Sequence, residues 1–153
     1  MYSRILVPLD GSPLAEAALP HAVALAWRFD TSLILLQVLS SGSVAAVADP
    51  IAGSSPDASL TMEVMEAERR TAQDYLEKTS RRIALDGVRV EWEVAQGSPA
   101  QEIARTAQQR QVDLIVMSTH GRSGLGRLVF GSVADRLLRE CTLPVLLIRP
   151  KGN

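Results

Sequence analysis

Five short apolar runs alternate along the chain with stretches whose apolar residues recur every three or four positions. The runs cover residues 5–9, 32–38, 88–94, 113–117 and 144–148. Four of them are almost continuously apolar, as expected of strands that helices bury on both faces. The third alternates between charged residues and a buried set formed by Val88, Val90, Trp92 and Val94. Alternation indicates one solvent-facing side, so this strand is predicted at an edge of the sheet.

The first helical stretch extends from Leu14 to Phe29. Ser12 is a suitable N-cap residue, and Pro13 occupies the first helical position, where a backbone N–H is not needed. Pro20 removes one backbone hydrogen bond inside the stretch. Because the apolar period continues through Pro20, we predict a kink there rather than a break.

Three further helices are predicted between the later strands. The second spans about 60–85 and is followed by Asp86-Gly87, residue types that end helices. The third begins at Ser98-Pro99-Ala100-Gln101, a capping-box pattern, and continues to about residue 110. The fourth begins near Gly131-Ser132 and ends near Cys141.

The resulting element order is βαβαβαβαβ. Connections of this length imply parallel strands with right-handed crossovers, and therefore an open three-layer α/β sheet. The segment from Ser40 to Ser59 is long and rich in Ser, Ala and Gly. Such a loop in a small domain is either a disordered surface insertion or a lid over a ligand, and both interpretations remain open.

Composition restricts the class of protein. The chain has 153 residues, of which 46% are apolar and 22% are charged, as in globular domains. This length suits a single domain, predicted over residues 1–150 with 151–153 as a tail. The net charge is −1, and no apolar run approaches the roughly 20 residues that cross a bilayer. Neither nucleic acid nor a membrane is therefore expected as a partner.

The N-terminal residues and the cysteine content bear on localisation. Residues 1–4 lead directly into an apolar strand and lack the features of a signal peptide. Cys141 has no second cysteine with which to form an internal disulfide. A cytoplasmic location is predicted from these two observations.

Polar turns rich in glycine and serine follow three of the predicted strands. They are Asp10-Gly11-Ser12, Gly97-Ser98 and residues 118–124. In an open α/β sheet such turns gather at the edge where ligands bind. Glycine lets the backbone approach a ligand, and the first amides of a helix are unpaired, a combination that suits phosphate. For Gly97-Ser98, ordinary helix capping is the favoured alternative.

The connection from Gly121 to Ser132 is the strongest candidate for a phosphate-binding segment. It contains three closely spaced glycines and two arginines, which are Gly121, Gly124, Gly126, Arg122 and Arg127. A plain strand-to-helix connection needs about two to six residues. This one is about twice that length and ends in a Gly-Ser pair that opens the next helix, so it can wrap an extended ligand.

Several common catalytic and cofactor motifs are absent from the sequence. There is no G-x-x-x-x-G-K-[ST] loop, no G-x-G-x-x-G after the first strand and no G-x-S-x-G elbow. Two histidines and one cysteine do not support a zinc site. His120 either contacts a phosphate or a water or stabilises its turn, whereas His21 and Cys141 are interpreted as packing or surface residues. No positioned nucleophile with its base is recognisable.

Three segments resemble the universal stress protein family, and the resemblance covers essentially the whole chain. The segments are residues 5–12, 116–135 and 144–149. The nucleotide-binding branch of the family carries Gly, two residues, Gly, nine residues, then Gly followed by Ser or Thr. Gly121 and Gly131-Ser132 match the later positions, and Ser118 stands at the first. The resemblance implies a Rossmann-like fold of the adenine nucleotide alpha hydrolase-like type, with strand order 3-2-1-4-5.

The resemblance also implies a ligand and the residues that bind it. ATP, accompanied by Mg²⁺, would place its adenosine end at Pro8, Asp10 and Val38. The residues implied to surround its ribose and phosphates are Met117, Ser118, Thr119, His120, Gly121, Arg122, Ser123 and Gly124. Those implied to hold the phosphates at the next helix are Gly131, Ser132, Val133 and Ala134. A homodimer formed through the strand at 143–149 is implied as well.

The sequence therefore predicts an ATP-binding stress-response protein that senses or signals through nucleotide occupancy. One alternative is a nucleotide-free dimeric scaffold of the same family, which Ser118 in place of glycine favours. Another is an enzyme, at most a slow ATP hydrolase, for which His120 and Asp10 are the available candidates. No particular protein partner is predicted.

Overall fold

The computed structural model describes residues 1–40, 58–119 and 131–150, which contain five strands and five helices. In chain order these are β1 (Arg4–Leu9), α1 (Pro13–Glu16), α2 (Leu19–Phe29), β2 (Ser32–Leu39), α3 (Ala58–Leu85), β3 (Val90–Gln96), α4 (Pro99–Gln109), β4 (Leu114–Ser118), α5 (Ser132–Glu140) and β5 (Val145–Ile148). Most of the predicted loop over 40–59 and the whole of 120–130 lie outside the described residues.

The described strands form one parallel sheet in the order β3-β2-β1-β4-β5, which confirms the predicted fold class and strand order. β1 is central, and its Leu6 pairs with Ile34 of β2 on one side and Ile115 of β4 on the other. β3 and β5 are the edge strands, so the edge position predicted for the third strand is correct. β3 begins two residues later than predicted, at Val90.

Two apolar clusters, one on each face of the sheet, make this a three-layer fold. The first is shared by β1, β2 and β4 with α1, α2 and α3, and includes Ile5, Val7, Leu33, Leu35, Ala22, Leu76 and Ile83. The second lies between the opposite face and helices α4 and α5, and includes Leu6, Ile34, Leu36, Ile115, Ile103 and Leu137. Alternate residues of each strand enter opposite clusters, as the period-2 geometry of a strand requires.

The stretch predicted as one kinked helix is two helices, so the kink prediction is wrong. α1 ends at Glu16 and α2 begins at Leu19, which places Pro20 at the second position of α2. Pro20 has no N–H to donate, and its ring would clash with the carbonyl four residues earlier in a continuous helix. Ala18 instead donates to Ala15 O at 3.2 Å, a bond over three residues that tightens the chain before α2 starts.

The N-caps of α1 and α4 differ in how their serine side chains act. Ser12 Oγ accepts from the Ala15 N–H at 3.1 Å, which confirms the predicted cap of α1. Ser98 is the N-cap residue of α4, but its side chain makes no capping hydrogen bond. Its Oγ lies 3.5 Å from Arg136 Nη1 of α5, so it faces a neighbouring helix and the capping-box prediction is wrong.

Trp92 also departs from the prediction that it belongs to a buried set. This residue is 36% exposed, whereas Val90 and Val94 on the same strand pack against the first cluster. Trp92 pairs with Leu35 of β2, and β3 has no strand on its other side in the described sheet. A large ring on such an edge strand has neighbours on one side only and stays partly in solvent.

Among the described helices, none is both long enough and apolar enough to cross a bilayer.

Candidate functional site

The strand order reverses direction beside β1, because the chain moves from β1 to β2 on one side and later to β4 on the other. In open α/β sheets this switch point at the carboxyl ends of the strands is where ligands bind. A cavity of about 620 Å³ opens there in this structure. Its volume lies within the range of roughly 300–1,000 Å³ typical of small-molecule sites.

Ten of the fifteen residues predicted to bind a ligand line this cavity. They are Pro8, Asp10, Val38, Met117, Ser118, Thr119, Gly131, Ser132, Val133 and Ala134. The sheet therefore brings together residues from four separate segments of the chain. The other five predicted residues lie outside the described ranges, and they are His120, Gly121, Arg122, Ser123 and Gly124.

The N-terminus of α5 forms the donor-rich end of the cavity. Gly131 is the N-cap residue, and the first intrahelical hydrogen bond runs from the Asp135 N–H to Gly131 O at 2.9 Å. The amides of Ser132, Val133 and Ala134 precede that bond and therefore have no carbonyl within the helix to pair with. Partial positive charge at a helix N-terminus adds to these donors, so this end of the cavity favours an anion.

Two backbone hydrogen bonds hold the entry to α5 against the end of β4. The Gly131 N–H donates to Thr119 O at 2.8 Å, and the Thr119 N–H donates to Ile148 O of β5 at 2.9 Å. Thr119 and Gly131, the described residues on either side of 120–130, are therefore directly hydrogen-bonded to each other. Because both residues are fixed to the sheet, the first turn of α5 is held at the rim of the cavity.

Asp10 is placed at the cavity by the tight turn between β1 and α1. Gly11 has φ +80°, a conformation that glycine adopts without strain. The Ser12 N–H donates to Asp10 Oδ1 at 2.9 Å, and this bond orients the carboxylate. The β1–α1 turn thus combines an N-cap with an acceptor group beside the cavity.

The sequence interpretation missed one wall of the cavity, which α3 supplies. The lining residues of this wall are Val64, Ala67, Glu68, Thr71 and Ala72. Thr71 Oγ1 donates to Ala67 O at 2.9 Å, which leaves its oxygen lone pairs as acceptors toward a ligand. No glycine- or serine-rich turn marks these positions in the sequence, so only the fold identifies them as part of the cavity.

A polar cluster behind this wall ties α3 to α1. The Tyr75 hydroxyl donates to Glu16 Oε1 at 3.1 Å, and Arg82 Nη2 lies 3.2 Å from Glu16 Oε2. Burial, together with the neighbouring Glu16 carboxylate, raises the pKa of Tyr75 above its usual value. The phenol therefore remains a neutral donor across the physiological pH range, and α1 keeps its orientation relative to the cavity wall.

The remaining candidates from the sequence lie away from the cavity. His21 is exposed on α2, and Cys141 is half-buried against the second cluster. Neither residue of the Gly97-Ser98 turn lines the cavity, although Pro99 and Ile103 of α4 do. The described residues contain no group of three or more His, Cys, Asp or Glu side chains close enough to hold a metal ion.

Fold and cavity together define a class: a doubly wound α/β protein with a ligand crevice at the switch point of its parallel sheet. Residues 1–149 match the family model described as the universal stress protein family. The chain therefore belongs to the universal stress protein family, as the resemblance in its sequence indicated.

Individual relatives agree in both sequence and fold. The universal stress protein MJ0531 of Methanocaldococcus jannaschii is 32% identical over 149 residues, which cover 97% of this chain and 83% of that protein. The solved structure of MJ0577 from the same organism superimposes with a TM-score of 0.83 at 27% identity, covering 100% and 99% of the two chains. UspA from Lactobacillus plantarum gives a TM-score of 0.80 at 28% identity, covering 97% and 98%.

Two further solved proteins with this fold are complexes with nucleotides. One is a universal stress protein in complex with cAMP, with a TM-score of 0.66, 19% identity and 97% coverage of both chains. The other is a universal stress protein from Archaeoglobus fulgidus in complex with dAMP, with a TM-score of 0.65, 21% identity and coverage of 96% and 98%. At these identities the likeness to this chain is one of fold.

Proposed function

We propose that this protein binds ATP in the cavity at the carboxyl edge of its sheet and uses nucleotide occupancy in a stress response. The observation that carries the proposal is the first turn of α5, where Ser132, Val133 and Ala134, whose amides have no partner carbonyl within the helix, line a cavity large enough for a nucleotide. Asp10, at the end of the neighbouring strand β1, and Val38, on β2 two strands away from β4, line the same cavity. A polyanionic tail at α5 and an adenosine group at the other end fit this arrangement.

Electrostatics favour the phosphates at α5 rather than elsewhere along the cavity. Each interaction of an anion with a helix N-terminus is worth about 0.3–1 kcal/mol, and the amide hydrogen bonds add to it. Asp10 after β1 and Glu68 on α3, by contrast, bring carboxylates to other parts of the lining and repel phosphate there. The two neighbours in complex with cAMP and dAMP lend support, since they carry adenine nucleotides on the same fold.

Mg²⁺ is proposed to enter with the triphosphate. This ion keeps several water ligands and is commonly held by substrate phosphates with one or two carboxylates, rather than by a protein cage. Such an ion neutralises part of the phosphate charge and needs no cluster of protein ligands.

The proposed output is a signal rather than rapid turnover. Asp10 Oδ1 already accepts the Ser12 N–H at 2.9 Å and helps to form the β1–α1 turn, which is a structural use of this carboxylate. Any hydrolysis is therefore proposed to be slow. We further propose a homodimer joined through residues 143–149, because β5 is an apolar edge strand with Leu146 37% exposed and such edges are normally covered. A cytoplasmic location is proposed as well, on the grounds given from the sequence.

Titration of purified protein with ATP and Mg²⁺ in a calorimeter tests the proposal. We expect saturable binding of one nucleotide per chain, with adenosine binding more weakly because it lacks the phosphates that α5 attracts. No detectable binding at millimolar ATP would contradict the proposal.

A nucleotide-free dimeric scaffold is the second candidate, and Ser118 is the observation in its favour. The family motif has glycine at this position, whereas Ser118 is 7% exposed, ends β4 and lines the cavity. The variant Gly121→Val separates the two candidates when its ATP binding is measured by calorimetry and its dimerisation by light scattering. Under the first proposal this change abolishes ATP binding and leaves the dimer intact. Under the second, the unchanged protein binds no ATP at all.

A further inference from the structure

Gln37 is a polar residue inside an otherwise apolar strand, and its position is fixed by the sheet. It lies on β2 between Leu9 of β1 and Val94 of β3, and it is the third residue from the end of the strand. The residue is only 6% exposed, and it lines the cavity. A glutamine this deeply buried must find hydrogen-bonding partners or lower the stability of the fold.

The side-chain oxygen of Gln37 lacks such a partner. Among the described residues, buried oxygens without a hydrogen bond occur at Gln37 Oε1, Thr31 Oγ1 and Thr106 Oγ1. Of these three residues, Gln37 is the one that lines the cavity. A buried acceptor left unsatisfied costs about 1–3 kcal/mol. Oε1 is shielded from solvent in this structure, so a rotation of the amide about its soft terminal torsion brings it to the cavity, where a ligand that donates to it offsets this cost.

The helix that covers the face of the sheet carrying Gln37 adds further acceptors to the lining. Alternation along β2 places Gln37 on the same face as Leu33 and Leu35, which is the face that α3 covers. On that wall of the cavity α3 contributes the half-buried Glu68 carboxylate and the Thr71 hydroxyl. This end of the cavity therefore suits a ligand group that donates hydrogen bonds, whereas the α5 end suits one that accepts them.

The separation of these two ends identifies which part of a nucleotide reaches Gln37. β1 lies between β2 and β4, so Gln37 is two strand spacings, or about 10 Å, from the strand that leads to α5. With the phosphates at α5, the group farthest from them is the base. Of the atoms on adenine, the exocyclic amino group is the hydrogen-bond donor available at that distance.

We propose that Gln37 determines base specificity by accepting a hydrogen bond at Oε1 from the exocyclic amino group of adenine. The inference rests on the proposed function and adds to it the residue that distinguishes adenine from bases without an amino group at this position. A site with a buried acceptor rejects an analogue that lacks the matching donor, because the acceptor is then left unpaired.

Purine riboside 5′-triphosphate tests the inference from the ligand side, because it carries hydrogen in place of the amino group. With the unchanged protein we expect it to bind about tenfold more weakly than ATP in calorimetric titrations. This comparison needs no variant, so it does not depend on whether an altered chain folds.

Gln37→Met tests it from the protein side, since methionine has a similar length and no strong acceptor. ATP affinity should fall about tenfold in this variant, while the affinity for purine riboside 5′-triphosphate changes less than twofold. Gln96→Met is the matched control, because Gln96 is exposed at the end of β3 and lies outside the cavity lining. It should preserve the preference for ATP.

The outcomes separate this inference from the proposed function. Equal binding of the two nucleotides by the unchanged protein would overturn the role of Gln37 and leave nucleotide binding intact. An equal loss of affinity for both in Gln37→Met would mean that Gln37 acts only on the shape of the cavity, which also overturns the inference. Binding of neither nucleotide by the unchanged protein would overturn both.

Discussion

Replacing Ser132 by proline removes one backbone donor from the proposed phosphate site with little effect on the helix. Ser132 is the first residue of α5, where proline is favoured because the N–H has no intrahelical partner. Gly131 before it has φ −53° and ψ 150°, an extended conformation compatible with a following proline. The change should therefore preserve the fold while deleting an amide N–H and a hydroxyl.

The size of the effect follows from the charge on the ligand. A hydrogen bond to a charged group is worth about 1.5–3 kcal/mol, which corresponds to a rise of roughly 10- to 150-fold in Kd. Ser132→Ala is the matched control, because it removes the hydroxyl and keeps the amide. Ser132→Pro should thus bind ATP at least about tenfold more weakly than Ser132→Ala.

Calorimetric titration with ATP and with adenosine completes this test. Adenosine has no phosphates, so its affinity should be the same in both variants. Thermal unfolding should give similar midpoints for the two proteins, since proline suits this position. Equal ATP affinity of Ser132→Pro and Ser132→Ala would refute the assignment of the phosphates to the amides of α5.

Three further predictions concern stability and assembly. Leu137→Ala should lower the free energy of unfolding in urea by about 2–5 kcal/mol, because Leu137 is fully buried, whereas the exposed Leu138→Ala should change it by less than about 0.5 kcal/mol. Tyr75→Phe should cost about 1 kcal/mol at pH 7. Burial and the nearby carboxylate raise the pKa of Tyr75 in the folded protein, so the unfolded chain loses this proton first as the pH rises. The difference in the free energy of unfolding between the two proteins should therefore hold up to about pH 10 and shrink above it. A difference that stays constant to pH 11 would contradict this. Leu146→Glu should yield monomers in light scattering, whereas Trp92→Glu, at the opposite edge strand, should leave the dimer unchanged. A dimer in both variants would argue against assembly through β5.

The fold could be predicted from the sequence because strong local patterns coincide with its topology. Continuous apolar runs identify buried parallel strands, and the helical stretches between them require crossovers that return each strand to the same sheet. The prediction failed where one residue overrode a periodic pattern. The apolar period continues through Pro20, but the missing N–H decides the hydrogen bonding, and the helix divides before it.

The cavity could be predicted in part, and the missed residues have physical reasons. Turns that follow strands are recognisable by their glycines and serines, which is how Asp10 and Ser132 were found. The wall formed by α3 depends on how a long helix lies across the sheet, and no local sequence pattern around Thr71 predicts the position of that helix. Gln37 did leave a signal, since a single polar residue interrupts the apolar strand from Leu33 to Val38.

The most direct test is a crystal structure of the protein grown with a non-hydrolysable ATP analogue and Mg²⁺. We predict density for the phosphates within hydrogen-bond distance of the amide nitrogens of Ser132, Val133 and Ala134, and for the base at the end of β2. An analogue bound elsewhere, or a crevice closed by the protein's own side chains at saturating ligand, would contradict the account.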